Sequence, residues 1–415
     1  MKFDRFIRTA GVALGAASIA GLTLGTAFAQ EVDFYADRDG WTAPLAQVAT
    51  EKTGVTVNPQ LVEPSDKYQA FIQTSIAGNN TPALFKWWNG KQLEDLAATG
   101  ALADLSAAWD KAVASGEFSE GQAELVTVDG TPYGILLNVA NWVSLYNTEA
   151  FEKAGIANPP ATWEELMDAA EKLKAAGYVP FNAPASGGWM PFIWFSQIMV
   201  STNPDAFVGL SDGSVPYDGP EVQKAFEIWG DMYEKGYFSD PREEDADKNF
   251  ADGSAAMYVI GDWATIGFEN GGMEPGVDFK SFIVPPYSAD VPLSIIVEAA
   301  PIVVAKRAME EVPGMADVVD ALMGADASMA LSADAGVFNG NLKGNAPNAI
   351  VEANQEMVAS MKPRAIVRWW EAVPPQIQGD LVSQMGAFMF DPTPETAQNA
   401  MSTMQAINAD YWANN

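Results

Sequence analysis

Residues 82–105 read PALFKWWNGKQLEDLAATGALADL. Pro82 opens an apolar run that ends in two adjacent tryptophans, Trp87 and Trp88, followed by Asn89 and Gly90. The spacing then turns helical from about Lys91 to Thr99 and stops at Gly100. Successive strand residues point to opposite faces. One core can therefore take one of the two indoles easily, but not both. The other ring either caps a neighbouring helix or offers a flat surface to a ligand.

Upstream, the same alternation of elements repeats. VDFYA reads as a strand, DRDGW as its exit, and Thr42 to Lys52 as a helix. VTVNPQLV is a strand by its alternation. Ser65 to Asn79 carries Tyr68, Phe71, Ile72 and Ile76 at helical spacing. Strand, helix, strand, helix, strand predicts an α/β layer with a parallel sheet. Ligands of such sheets sit beyond the carboxyl ends of the strands. DRDGW and WWNG both fall there, side by side on one rim.

Downstream the chain is mostly helical. Thr162-Trp163-Glu164-Glu165 is a capping box, with Glu165 reaching back. A second helix runs from Glu221 to Lys235 with Val222, Phe226, Trp229 and Tyr233 inward. Trp109, Trp163 and Trp229 read as core or helix-packing residues. In SGGWMPFIW, residues 186–194, two glycines and a proline place Trp189 in a loop. No internal repeat or low-complexity linker separates tandem domains.

Composition narrows the function. The chain has 415 residues, 48% of them hydrophobic, enough for a packed core. Residues 1–29 combine a basic start, MKFDRFIR, a small-residue apolar run and Ala27-Phe28-Ala29, which predicts a secretory signal peptide cut before Gln30. No cysteine follows, so no lipid anchor is expected and no disulfide can form. The formal charge is −31 and becomes about −33 once three bases and one acid leave with the leader. Such a charge repels nucleic acid and anionic membranes. It fits either a saline habitat or a cationic ligand. Histidine is absent, which excludes Ser-His-Asp and Cys-His nucleophiles and histidine zinc sites. No P-loop glycine pattern is present. No metal or cofactor is called for.

Four segments in series resemble one family. LYNTEAFEKAGI (145–156), PPATWEEL (159–166), FADGSAAMYVIGDWA (250–264) and the opening 82–105 stretch are similar to its recurrent patterns, with Ala83 where that family commonly has aspartate. The family is the extracellular solute-binding proteins of family 1, the maltose-binding-protein-like carbohydrate binders of ABC importers. The resemblance implies an α/β, two-lobed periplasmic-binding-protein fold with three interlobe crossovers and a ligand cleft between lobes. It places a first lobe at 30–140 plus 293–350 and a second at 141–292 plus 351–415. It implies that Trp87 and Trp263 stack on sugar rings from opposite lobes, with Trp88 supporting or touching a second sugar unit. Asp37, Arg38, Asp39, Asn89, Asn138, Asn141 and Asp262 become candidates for the polar rim, since amides and carboxylates suit paired hydroxyls. Trp369 and Trp370 precede EAVPPQI where the family often has an aromatic, and at least one is expected at the ligand. Trp41 opens a helix at the rim and either packs or contacts ligand. Glu298, in the apolar SIIVEAAPIVVA, is either a cleft residue or salt-bridged to an arginine, because a lone carboxylate there is costly. Trp189 completes the set.

The resulting expectation is a monomeric, periplasmic carbohydrate-binding protein that delivers its sugar to ABC permease subunits and does no chemistry. Two rivals keep a place: the same fold binding a cationic amine such as a polyamine or betaine, and a secreted carboxylate glycosidase.

Overall fold

The structure is a computed structural model that describes residues 31–414. The expected leader and its cleavage site lie outside the described residues. The strands are β1 (Glu31–Ala36), β2 (Thr56–Leu61), β3 (Leu84–Lys86), β4 (Thr127–Val128), β5 (Thr131–Pro132), β6 (Gly134–Asn147), β7 (Val179–Asn182), β8 (Ala255–Gly261), β9 (Phe279–Phe282), β10 (Ser294–Val304) and β11 (Arg364–Val367). Among the described residues, nine of them join one sheet in the order β2-β1-β3-β10-β6-β8-β7, with β11 beside β10 and β9 beside β6; β4 and β5 form a separate hairpin.

The first part of the chain follows its apolar spacing. Helices Ala43–Thr53, Ser65–Ala77 and Lys91–Ala97 alternate with β1, β2 and β3. β1 pairs parallel to both β2 and β3. The parallel layer then ends, because β10 enters antiparallel to β3 and to β6. Trp109, Trp163 and Trp229 are buried, as their helical spacing predicts. At the Thr162 cap the side chain accepts the Glu165 N–H at 3.2 Å. The Glu165 carboxylate reaches one residue further back than a capping box requires, to the Ala161 N–H at 2.7 Å.

Two hydrophobic cores hang on this sheet. One draws its buried members from residues 32–137 and 299–337. The other draws from residues 142–296 and 350–404. The chain passes between them within β6, within β10 and again over 338–349. β6 and β10 are 14 and 11 residues long and almost wholly buried, which explains their near-continuous apolar sequences.

Two close approaches fasten the cores at WWNG. Gly90 has φ +62°, and a Cβ there would lie 2.6 Å from the Glu371 carbonyl oxygen, so glycine is required by both conformation and space. The Gln92 side-chain amide donates to the Trp370 carbonyl at 3.0 Å.

The opening expectation about Trp87 and Trp88 fails here. Both rings are buried, at 1% and 4% exposure. β3 ends at Lys86, so the pair lies past the strand and strand alternation no longer separates them. The rings meet edge to face at 5.2 Å, and the Trp87 N–H donates to the Gln92 carbonyl at 3.1 Å.

Candidate functional site at the junction of the two cores

Trp263 and Trp370 are half-buried and pack against both cores, which locates the junction. Trp263 follows β8, in a short helical turn Asp262–Ala264. Arg38, in the loop after β1, lays its guanidinium 4.4 Å from the Trp263 ring centre and 5.2 Å from that of Trp41. Trp189 meets Trp263 at 6.3 Å and Trp142 at 6.5 Å. Phe192 stacks on Trp370 at 5.9 Å and on Trp369 at 5.7 Å. A continuous aromatic wall thus lines the place where the cores meet.

Charge is buried behind it. Glu298 on β10 accepts three donors on one oxygen, Oε2: Trp263 Nε1 at 2.8 Å, Trp142 Nε1 at 3.2 Å and Arg368 Nη1 at 2.7 Å. Of the two expectations for Glu298, the arginine salt bridge is present. Arg368 also grips Glu371 bidentately, through Nε to Oε2 at 2.7 Å and through Nη2 to Oε1. Asp37 accepts from Ser65 Oγ at 2.6 Å and pairs with Lys86 Nζ at 3.1 Å. That ammonium also lies 3.5 Å from the Trp88 ring centre. Burial pushes the Asp37 carboxyl up, but Lys86, Ser65 and Arg38 outweigh it and hold it below its ordinary value.

Asp262 behaves in the opposite way. Burial pushes its carboxyl up to about 7, against donors from Asn354 Nδ2 at 3.0 Å and the Asn141 backbone N–H at 3.3 Å, with Glu298 adding repulsion. A carboxyl whose pKa is higher folded than unfolded binds its proton more tightly in the native state. Its contribution is fully present below about pH 4 and is lost as pH rises through about 7. Urea unfolding of the native protein between pH 4 and 8 is therefore expected to lose stability with rising pH, at up to about 1.4 kcal/mol per pH unit from this group. Asp262→Asn should remove that component of the slope. An unchanged slope in the variant would place the titration elsewhere.

The structure brings Asp37, Arg38, Trp41, Trp189, Asp262, Trp263, Glu298 and Trp370 to the junction or directly behind it. It withdraws others. Trp87 and Trp369 are each 1% exposed and offer no face to a ligand. The Trp369 N–H is spent on Tyr217 Oη at 3.0 Å. Trp88 is covered on one face by Lys86. Asp39 is exposed. Asn141 contributes its backbone N–H. Asn89 and Asn138 are buried, and Asn89 Oδ1 and Asn138 Nδ2 lack hydrogen-bond partners. Lys86, Trp142, Phe192, Asn354, Arg368 and Glu371 were not anticipated. Three of them had a signal: Lys86 is the one charge in the apolar run LFKWW, and Arg368 and Glu371 flank a tryptophan pair, three residues apart.

Two α/β cores that share their long strands, with aromatic and charged groups gathered where they meet, define a two-lobed solute-binding architecture. The chain belongs to the bacterial extracellular solute-binding protein family, which it matches over residues 45–359. It is 27% identical over 239 residues to a "Probable sugar-binding periplasmic protein" of Mesorhizobium japonicum, covering 53% of this chain and 54% of that protein. It is 33% identical over 126 residues to the sn-glycerol-3-phosphate-binding periplasmic protein UgpB of Escherichia coli K12, covering 29% and 28%. The chain thus spans about half the length, or less, of these curated relatives. Among solved structures, a chitin oligosaccharide binding protein superimposes with TM-score 0.79 at 20% identity, over 92% of this chain and 98% of that one. The bacterial solute receptor AcbH, described as exclusive for β-D-galactopyranose, does so with TM-score 0.80 at 22% identity, over 92% and 99%.

Proposed function

We propose that this protein is the periplasmic binding component of an ABC importer, and that it holds a sugar or oligosaccharide at the junction of its two cores. The first lobe is 30–140 plus 293–350 and the second 141–292 plus 351–415. The chain acts as a monomer, is exported by a cleaved leader, carries no lipid, hands its ligand to permease subunits and performs no catalysis. One observation carries this reading: half-exposed indoles stand beside a buried carboxylate, Glu298, that among the described residues takes its donors on only one of its two oxygens. A pyranose has apolar C–H faces and a hydroxyl rim, and such a wall meets both. About 100 Å² of sugar face laid on an indole yields roughly 2.5 kcal/mol. A micromolar ligand needs about 8 kcal/mol in all. The names of the relatives and the ligands of the structural neighbours support the same class. The amine reading is weakened by Arg38, because the chain's own cation already lies over Trp41 and Trp263.

A thermal-shift screen of sugars, sugar alcohols, polyamines and betaines tests the reading. A sugar at 100 times its dissociation constant should stabilise by about 2.7 kcal/mol. Stabilisation by amines alone would overturn the carbohydrate reading. Turnover of an oligosaccharide, in place of stoichiometric binding, would overturn the transport reading.

A further inference from the structure

This inference rests on the reading of the junction as a site for polyhydroxyl ligands. The buried cations there are paired: Lys86 with Asp37, and Arg368 with Glu298 and Glu371. Arg38 is the exception. Among the described residues, no carboxylate lies within ion-pairing distance of its guanidinium and no acceptor takes a hydrogen bond from its N–H groups. The neighbouring Asp37 is already engaged by Lys86 and Ser65. Asp37 and Asp247 feel its charge, but neither pairs with it; in a chain with 54 acids and 23 bases, an arginine left without an ion pair is not explained by a shortage of partners. Nor is the side chain loose. It is half-buried and held over two indoles, Trp41 and Trp263. Ring contacts fix a guanidinium by its face and leave its rim of N–H donors unspent.

We propose that the ligand is an acidic polyhydroxyl compound, a sugar or polyol bearing a carboxylate or a phosphate, and that Arg38 is the receptor for its acidic group. The planar fork of arginine matches both groups in geometry. Trp263 ties the two halves of the site together: the guanidinium lies over its face, and Glu298 sits at its N–H edge. Glu298 Oε1, which takes no donor among the described residues, accepts a ligand hydroxyl while Arg38 takes the acid. The overall charge of −31 does not forbid this. Its distant part is screened over about 8 Å at physiological salt, so inside the junction the local guanidinium dominates.

Calorimetric titration of the exported protein with three matched pairs tests the proposal: galacturonate and galactose, glucuronate and glucose, glycerol 3-phosphate and glycerol. The acidic member of at least one pair should bind roughly 10- to 100-fold more tightly than its neutral partner, the range of a charge-assisted hydrogen bond. Which pair responds separates the carboxylate from the phosphate source. The preference should weaken as salt is raised. It should fall below about threefold in Arg38→Gln and survive in part in Arg38→Lys, as a charge-assisted contact replaced by a neutral or a less well-matched donor requires. If Arg38→Gln does not melt near the parent temperature, Arg38→Lys and the salt series decide. Neutral sugars binding as tightly as their acids, or a preference that Arg38 variants and salt leave untouched, would overturn the proposal while carbohydrate binding stands. No binding by any member of the three pairs would overturn the proposal, while the carbohydrate reading is decided by the thermal-shift screen.

Discussion

Replacing Arg368 with alanine is expected to destabilise the protein by about 3–5 kcal/mol, because it strands two buried carboxylates. Glu371 is 0% exposed and Glu298 6%, and Arg368 is the ion-pair partner of both. Burial already pushes the Glu371 carboxyl up against the pull of Arg368, so without the guanidinium that carboxyl would take up a proton in the folded state. The deficit should therefore shrink as pH falls, and this trend separates lost charge from lost packing. Urea unfolding of Arg368→Ala at pH 8 and pH 5 measures it. A loss below about 1 kcal/mol, or a loss equal at both pH values, would mean that the triad does not depend on Arg368 for its charge balance. A triple variant, Arg368→Met with Glu298→Gln and Glu371→Gln, should recover much of the loss, since an unpaired charge costs more than a neutral isostere.

The second large effect separates two tryptophans that the sequence makes look alike. Trp87→Ala should cost about 3–5 kcal/mol of stability, as truncation of a fully buried ring does, while leaving the affinity of the folded protein within a few-fold of the parent. Trp263→Ala should do the reverse. Its ring is half-exposed at the junction, and losing a platform worth roughly 2.5 kcal/mol weakens sugar binding by about 50- to 100-fold with a smaller effect on folding. Calorimetric titration and urea unfolding of both variants, with the tightest sugar from the screen, decide the matter. Full affinity in Trp263→Ala would move the binding surface away from the junction wall. Weak binding by a stable Trp87→Ala would restore the role that the sequence alone assigns to that ring.

The elements were legible where a single periodicity governs. Helices at Ala43–Thr53, Ser65–Ala77 and Lys91–Ala97 lie within two residues of their apolar spacing. The roles of Trp109 and Trp229 followed from the same spacing. The site was legible only in part. The segments after β1 and β8 do meet, because β8 runs opposite to β1 and β3 and their exits converge on the middle of the long strands β6 and β10. What the sequence concealed was depth. Whether Trp87 or Trp263 shows a face to a ligand depends on where β3 ends, and nothing in LFKWWNG marks Lys86 as its last residue. Partnership was hidden as well: Glu298 and Arg368 are 70 residues apart and meet only because β11 lies alongside β10.

The chain's path between its cores also bears on the order in which they can form. Neither core can be assembled from one contiguous stretch. The first needs residues up to 137 and then waits for 299–337; the second begins at 142 and is complete only near 404. A growing chain of about 290 residues would hold one core without β10, its central strand, and another without its last helices. Vectorial synthesis therefore cannot bank a finished lobe early. The apolar surfaces of both halves stay uncovered until most of the polypeptide has been made, which keeps the chain in a threadable, chaperone-accessible form for longer than a protein whose domains follow one another in sequence.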